Sequence, residues 1–188
     1  DFKRKEAVIL DCVLFTMKNL RHFPYRPANK CIIVSDAVQG GTCLPLYKIM
    51  KITVLVENTI SENPNVKNLS LQAEHGLSLH IQTEFDSKKN YQILFDMGQS
   101  NLFQKNAKLL GINLESVDFA VLSHGHYDHG GLASSDSEQN GLFAFSKINQ
   151  TSPIYINQNA FSQNYNGSKK FIGLDQSLLQ NDELKSRF

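Results

Sequence analysis

The chain has 188 residues, enough for one domain with a sizeable apolar core. Hydrophobic residues make up 41% and charged residues 20%, which excludes a disordered or low-complexity chain. A net charge of +1 gives no electrostatic reason to expect nucleic acid or an anionic membrane as partner, and no run approaches the roughly 20 apolar residues of a spanning helix.

The chain begins at Asp1. Lys3, Arg4 and Lys5 precede an apolar run from Ala7 to Phe15, a weak likeness to a secretion signal. Asp11 interrupts that run and no small-residue cleavage site follows closely. Cys12, Cys31 and Cys43 are odd in number and contain no Cys-x-x-Cys pair, so neither a disulfide framework nor a thiolate zinc site is expected. A reduced, cytoplasmic setting fits this usage. Composition changes near Met50. Before it, eight Lys and Arg face four Asp and Glu; from it onward the counts are eleven and fourteen. Pro24, Pro27 and Pro45 break up the first part. The favoured division is an extension over 1–49, not native to the domain, and a domain over 50–188. Met50 stands directly before the first convincing strand and would serve as a start; an appended arm is the alternative.

From Met50 the pattern becomes regular. Lys51 to Val56 reads as a buried strand, and the polar stretch from Asn58 to Glu74, with Pro64, as a long loop. Leu77, Leu79, Ile81 and Thr83 alternate with Ser78, His80 and Gln82, the period of a half-buried strand with His80 facing solvent. Tyr91 to Phe95 is a further strand. Ser100 can cap a helix over Asn101 to Leu110, with Leu102, Phe103, Leu109 and Leu110 inward and Gly111 ending it. Phe119 to Leu122 reads as strand, Gly141 to Ile148 as helix, Pro153 to Ile156 as strand and Gln158 to Tyr165 as a short helix. The tail from Gly173 reads as a final helix. Mixed strands and helices without an internal repeat predict a layered α/β or α+β domain.

The strand over Phe119 to Leu122 runs into Ser123-His124-Gly125-His126-Tyr127-Asp128-His129-Gly130-Gly131. Six histidines occur in the chain, and three fall within these nine residues. On composition alone a His-x-His-x-Asp-His match has an expectation of roughly 3 in 10,000, so chance is set aside in favour of a metal site. Residues two apart on extended chain point to one side, so His124 and His126 can aim at one ion. Asp128 and His129 sit one step farther on and can reach a second. Imidazole nitrogen with carboxylate oxygen suits Zn²⁺ best, with Fe or Mn as alternatives. Water on such an ion ionises near a pKa of about 7, giving hydroxide at neutral pH for hydrolysis of a small molecule, with Asp128 placed to take or hold the proton. The competing reading is three surface histidines and a solvated carboxylate. His75 beside Gly76, and Glu57 at a strand end, are further candidates to face the site.

The segment resembles the first metal motif of the metallo-β-lactamase superfamily. Leu94-Phe95-Asp96-Met97-Gly98 resembles the Asp-x-Gly strand end of that family, and Val117 to Ser123 the strand that feeds the motif. More narrowly, Glu57-Asn58-Thr59 and Glu74-His75-Gly76-Leu77-Ser78 resemble a subgroup of metal-dependent hydrolases akin to ribofuranosylaminobenzene 5'-phosphate synthase. The resemblance implies an αββα sandwich, two metal ions, and a role for Asp96 in buttressing the ligands from behind. It also implies a further His, a bridging Asp and a last His downstream. Here no histidine follows His129, and the remaining Asp136, Asp175 and Asp182 stand in no matching context. The expectation is therefore the N-terminal half of the sandwich, holding metal weakly by itself. Residues 132–140 and 68–72 read as insertions. Besides hydrolysis, a phosphoribosyl-type transfer and a non-catalytic metal-binding fragment are the competing functions. A di-iron oxygen-reducing protein is disfavoured, because such relatives carry Glu where His126 stands.

Overall fold

In the computed structural model, residues 31–35, 47–60, 69–85, 90–131 and 139–188 are described. They form a six-stranded sheet in the order β1 (Cys31–Ser35), β2 (Tyr47–Val56), β3 (Ser78–Phe85), β4 (Asn90–Phe95), β5 (Phe119–Val121) and β6 (Ile154–Tyr155). The first four strands pair antiparallel; β4–β5 and β5–β6 pair parallel. Helix α1 (Leu102–Leu109) crosses from β4 to β5. The one-turn α2 (Tyr127–Gly130) and the helix α3 (Gly141–Ile148) lie between β5 and β6, and α4 (Asp182–Lys185) follows near the end. This is the mixed α/β architecture expected. The described residues hold one sheet and not the two of a complete sandwich.

The period of two in the strands divides the core. Ile52, Leu79, Ile81, Tyr91, Ile93, Phe95, Phe119 and Val121 form one apolar cluster. Leu94 and Ala120 alternate to the other face, where they join Phe103 and Ala107 of α1 and Leu142 and Phe145 of α3. A parallel pair buried on both faces reads as a continuous apolar run, and Phe119 to Leu122 is one. Asn106, buried on α1, gives its amide hydrogens to the carbonyls of Leu55 and Gln72 at 2.7 and 2.9 Å. It thereby ties the end of β2 and the loop before β3 to the helix.

Several elements differ from the sequence reading. β2 begins at Tyr47 and pairs with β1, so the strand runs across Met50. His80 is 1% exposed, not solvated. Its face of β3 also carries the buried Ser78, because both sides of the strand are covered at this end. Its Nε2 meets the Gln92 side chain at 3.2 Å, while Nδ1 has no hydrogen-bond partner among the described residues. Burial, and then the nearby Lys51, lower its pKa against the opposing bond to Gln92. Leu109 is 44% exposed rather than inward, since α1 buries Leu102, Phe103, Asn106 and Ala107. Gln158–Phe161 and Gln176–Gln180 are 3-10 turns, closed by the side chains of Asn157 and Asp175. The signal-like stretch at 1–15, Asn68, and residues 132–138 of the expected insertion lie outside the described residues.

Candidate metal centre

β4 ends at Phe95 and β5 at Val121, paired side by side and parallel. Ligands of open α/β sheets gather beyond the carboxyl ends of such strands, and the histidine cluster leaves β5 there. The loop after β4 turns sharply at Asp96, whose φ of +56° lies in the left-handed region that Asp tolerates better than most residues. That turn sends the carboxylate under the neighbouring loop. Asp96 is fully buried. Its Oδ1 accepts the Ser123 amide at 2.8 Å, and its Oδ2 accepts the Ser123 hydroxyl at 2.8 Å and His129 Nδ1 at 2.7 Å. Asp96 thus sits behind the cluster, bonded to Ser123 and His129.

Backbone bonds stitch the cluster to its surroundings. Met97 N–H donates to His129 O at 2.7 Å, and Tyr127 N–H to Ile172 O at 3.1 Å. Leu77 N–H donates to Asp128 O at 3.2 Å and Gly98 N–H to Leu77 O at 2.9 Å, so the loop before β3 is clamped between the two strand ends. Gly76 has φ +138°, and a side chain there would strike the Asp128 carbonyl. Gly125 lies so close to the Ala160 backbone that a Cβ would overlap it. Both glycines are required by close approach.

The side chains then fall into two pairs. His124 Nε2 faces His126 Nδ1 at 3.0 Å. Asp128 Oδ2 faces His129 Nε2 at 3.6 Å. The rings of His124 and His129 stand 4.2 Å apart, which brings the pairs together. Among the described residues, no group of three or more His, Cys, Asp or Glu side chains is arranged to hold an ion as it stands. His75 reaches the second pair from outside the motif: its Nε2 lies 3.4 Å from Asp128 Oδ2, and its Nδ1 3.1 Å from Asn58 Oδ1. Among the described residues Glu57 forms none of the site's hydrogen bonds or ion pairs, while its neighbour Asn58 meets His75 and Gly76.

The electrostatics separate the histidines. Desolvation, then the neighbouring His129 and His126, lower the pKa of His124 against the pull of Asp96 and Asp128. For His129 burial acts downward, but the bond to Asp96 and the charges of Asp96 and Asp128 together raise its pKa. Two residues here escaped the sequence reading. Ser123 carries an oxygen between Asp96 and His124, and its position directly before the cluster was the available signal. Glu74 closes the loop after β4, accepting the amides of Gln99 and Ser100 at 3.3 and 3.2 Å and the Ser100 hydroxyl at 2.5 Å.

Comparisons with known proteins find similarity over the same part of the chain. Residues 86–135, from the loop before β4 through the histidine cluster, match the family model described as Metallo-beta-lactamase superfamily. Over that stretch the chain is similar to the superfamily. It is 34% identical over 131 residues to a 7,8-dihydropterin-6-methyl-4-(beta-D-ribofuranosyl)-aminobenzene-5'-phosphate synthase of Methanocaldococcus jannaschii, covering 68% of this chain and 40% of the relative. It is 30% identical over 128 residues to an uncharacterised protein of the same archaeon, covering 68% and 41%. Among solved structures, metallo-beta-lactamase SMB-1 bound to 2-mercaptoethanesulfonate aligns with 53% of this chain and 42% of its own, at TM-score 0.35 and 16% identity. The chain spans about 40% of the length of the curated relatives it matches.

Proposed function

We propose that the chain carries one part of a two-ion site, used to hydrolyse a small molecule, with His124 and His126 on one ion and Asp128 and His129 on the other. The pairing of donors supports this reading most. Two donor atoms on one tetrahedral zinc, bound at about 2.0–2.1 Å, stand about 3.3 Å apart. The measured separations are 3.0 Å for His124 with His126 and 3.6 Å for Asp128 with His129. Each pair supplies two donors toward a four-coordinate site. The donor chemistry fits Zn²⁺, with Fe or Mn as alternatives. Asp96 adds the carboxylate that ligating histidines commonly have behind them.

When bound, such ions supply Lewis acidity and make water acidic enough to attack near neutral pH. The chain's own residues do the rest. Asp128 takes the proton of the attacking water at its carboxylate. Asp96 holds His129 against rotation. Ser123 and His124 are exposed, so the cluster opens to solvent and a substrate can approach it. Among the described residues no helix is long and apolar enough to cross a membrane.

A second reading is group transfer to or from a phosphoribosyl-aminobenzene-type substrate, favoured by the name of the methanogen relative. The test begins with cobalt(II) loading and the visible absorption of the bound ion. Hydrolysis of a phosphodiester, a thioester and a β-lactam is then assayed with the same samples. The hydrolytic reading expects turnover of one substrate class that disappears in His126→Ala and Asp128→Ala. Turnover that survives both substitutions removes this cluster as the catalyst. Cobalt binding without any hydrolysis shifts the weight to transfer.

A further inference from the structure

We propose that Ser123 is a positioning residue that extends the hold of Asp96 from His129 to His124, so that one buried carboxylate sets the tautomer of both histidines. A carboxylate has no proton to give, so every contact to Asp96 is a donation toward it. The Ser123 hydroxyl has one proton and lies 2.8 Å from Asp96 Oδ2. Directed elsewhere, it would leave an oxygen lone pair facing the carboxylate and forfeit a charge-assisted bond. The proton therefore goes to Asp96. Ser123 Oγ then has only lone pairs for His124 Nδ1, 2.9 Å away, so Nδ1 carries the imidazole hydrogen. His129 reaches the same state directly: its Nδ1 donates to Asp96 Oδ2 at 2.7 Å, shorter than its 3.5 Å approach to Ser123 Oγ.

Both rings therefore present a bare Nε2 on the far side from Asp96. For His129 that nitrogen faces Asp128. For His124 it faces His126 Nδ1, which is the donor across 3.0 Å in the metal-free chain and must release that proton before it can hold an ion. The donors run in one direction, from His126 through His124 and Ser123 to Asp96. A metal ligand needs its lone pair free, and the orientation of a ligating His is set by what its other nitrogen bonds. The consequence for metal rests on the function proposed above; the tautomers do not. Asp96 serves one pair of donors directly and the other through a single hydroxyl, so removing that hydroxyl uncouples only the His124 pair.

The test is long-range nitrogen-15 NMR of the metal-free full chain at alkaline pH, where the imidazoles are neutral. His124 and His129 are both expected as the Nδ1–H form. In Ser123→Ala, His124 moves toward the Nε2–H form that free imidazole side chains favour, while His129 stays. Ser123→Thr restores His124, and Ser123→Val, of the same shape without the hydroxyl, does not. A His124 that keeps Nδ1–H in Ser123→Ala and Ser123→Val overturns the proposal. So does a His129 that moves as far as His124, since that reports general loosening. A zinc titration of the same samples separates the two claims. Weakening of about 10–100-fold in Ser123→Ala, recovered in Ser123→Thr, supports the relay acting on a metal ligand. If no variant binds zinc but the tautomers shift as described, the relay stands and the metal reading falls.

Discussion

On one side of the histidine cluster, Asp96 is fully buried and holds its partners through three hydrogen bonds of 2.7–2.8 Å. On the other, the His75 side chain is 63% exposed and meets Asp128 at 3.4 Å. The first is a wall and the second a rim. Ordering the wall costs conformational freedom that folding must recover, and buried charge-assisted bonds are strong enough to do so. The rim is wet, so its contacts contribute little to stability and leave the side chains able to meet a substrate. The difference shows how a fold can fix its donors from behind while leaving their front open.

The comparison breaks most visibly at Asp96. Asp96→Ala leaves the Ser123 amide and His129 Nδ1 without their buried acceptor, and a loss of about 3 kcal/mol is expected in urea unfolding. A loss below about 0.5 kcal/mol would mean the wall does not hold the site. His126→Ala is expected to lower metal affinity by more than about 100-fold while leaving the unfolding midpoint of the metal-free chain close to wild type, because the side chain is only half-buried. Metal content after dialysis and a urea curve together check this.

A smaller effect belongs to the sheet behind the wall. The pKa of buried His80 is lowered, so the unfolded chain takes up its proton first as pH falls. Above about 6.5 neither state is protonated at this residue and it contributes no pH dependence. As pH falls through about 6.5, stability is lost, until the folded-state pKa is passed. His80→Gln removes this loss, so the difference between wild type and variant should grow between neutral and mildly acidic pH. The opposite slope from His129 is common to both proteins and cancels. A pH-independent difference would contradict the assignment. The smallest change is expected at the rim: His75→Ala should alter stability by less than about 0.5 kcal/mol. A larger loss in thermal unfolding would move His75 from rim to wall.

Much of this was legible from the residues. The helix over Gly141–Ile148, the strand ending at Phe95 and the cluster after β5 follow from apolar patterning and spacing. What escaped depends on partners distant in sequence. Alternation gives the face on which His80 lies, but not whether that face is covered. The helical pattern placed Leu109 inward, and packing turned Asn106 inward instead, because its amide satisfies two carbonyls from other segments. Asn58 and His75 meet across 17 positions of polar sequence, beside a glycine whose need appears only next to Asp128. Ser123 looked like the end of a strand, since its carboxylate partner is 27 residues away.

In the proposed function the two donor pairs bind metal on the front of the wall. Calorimetric titration of the metal-free chain with Zn²⁺, beside the His124→Ala/His126→Ala double variant, tests it most directly. Saturable zinc binding by the wild-type chain is expected, with the part that belongs to the first pair lost in the double variant. Identical zinc binding by the two proteins, or none by either, would contradict it.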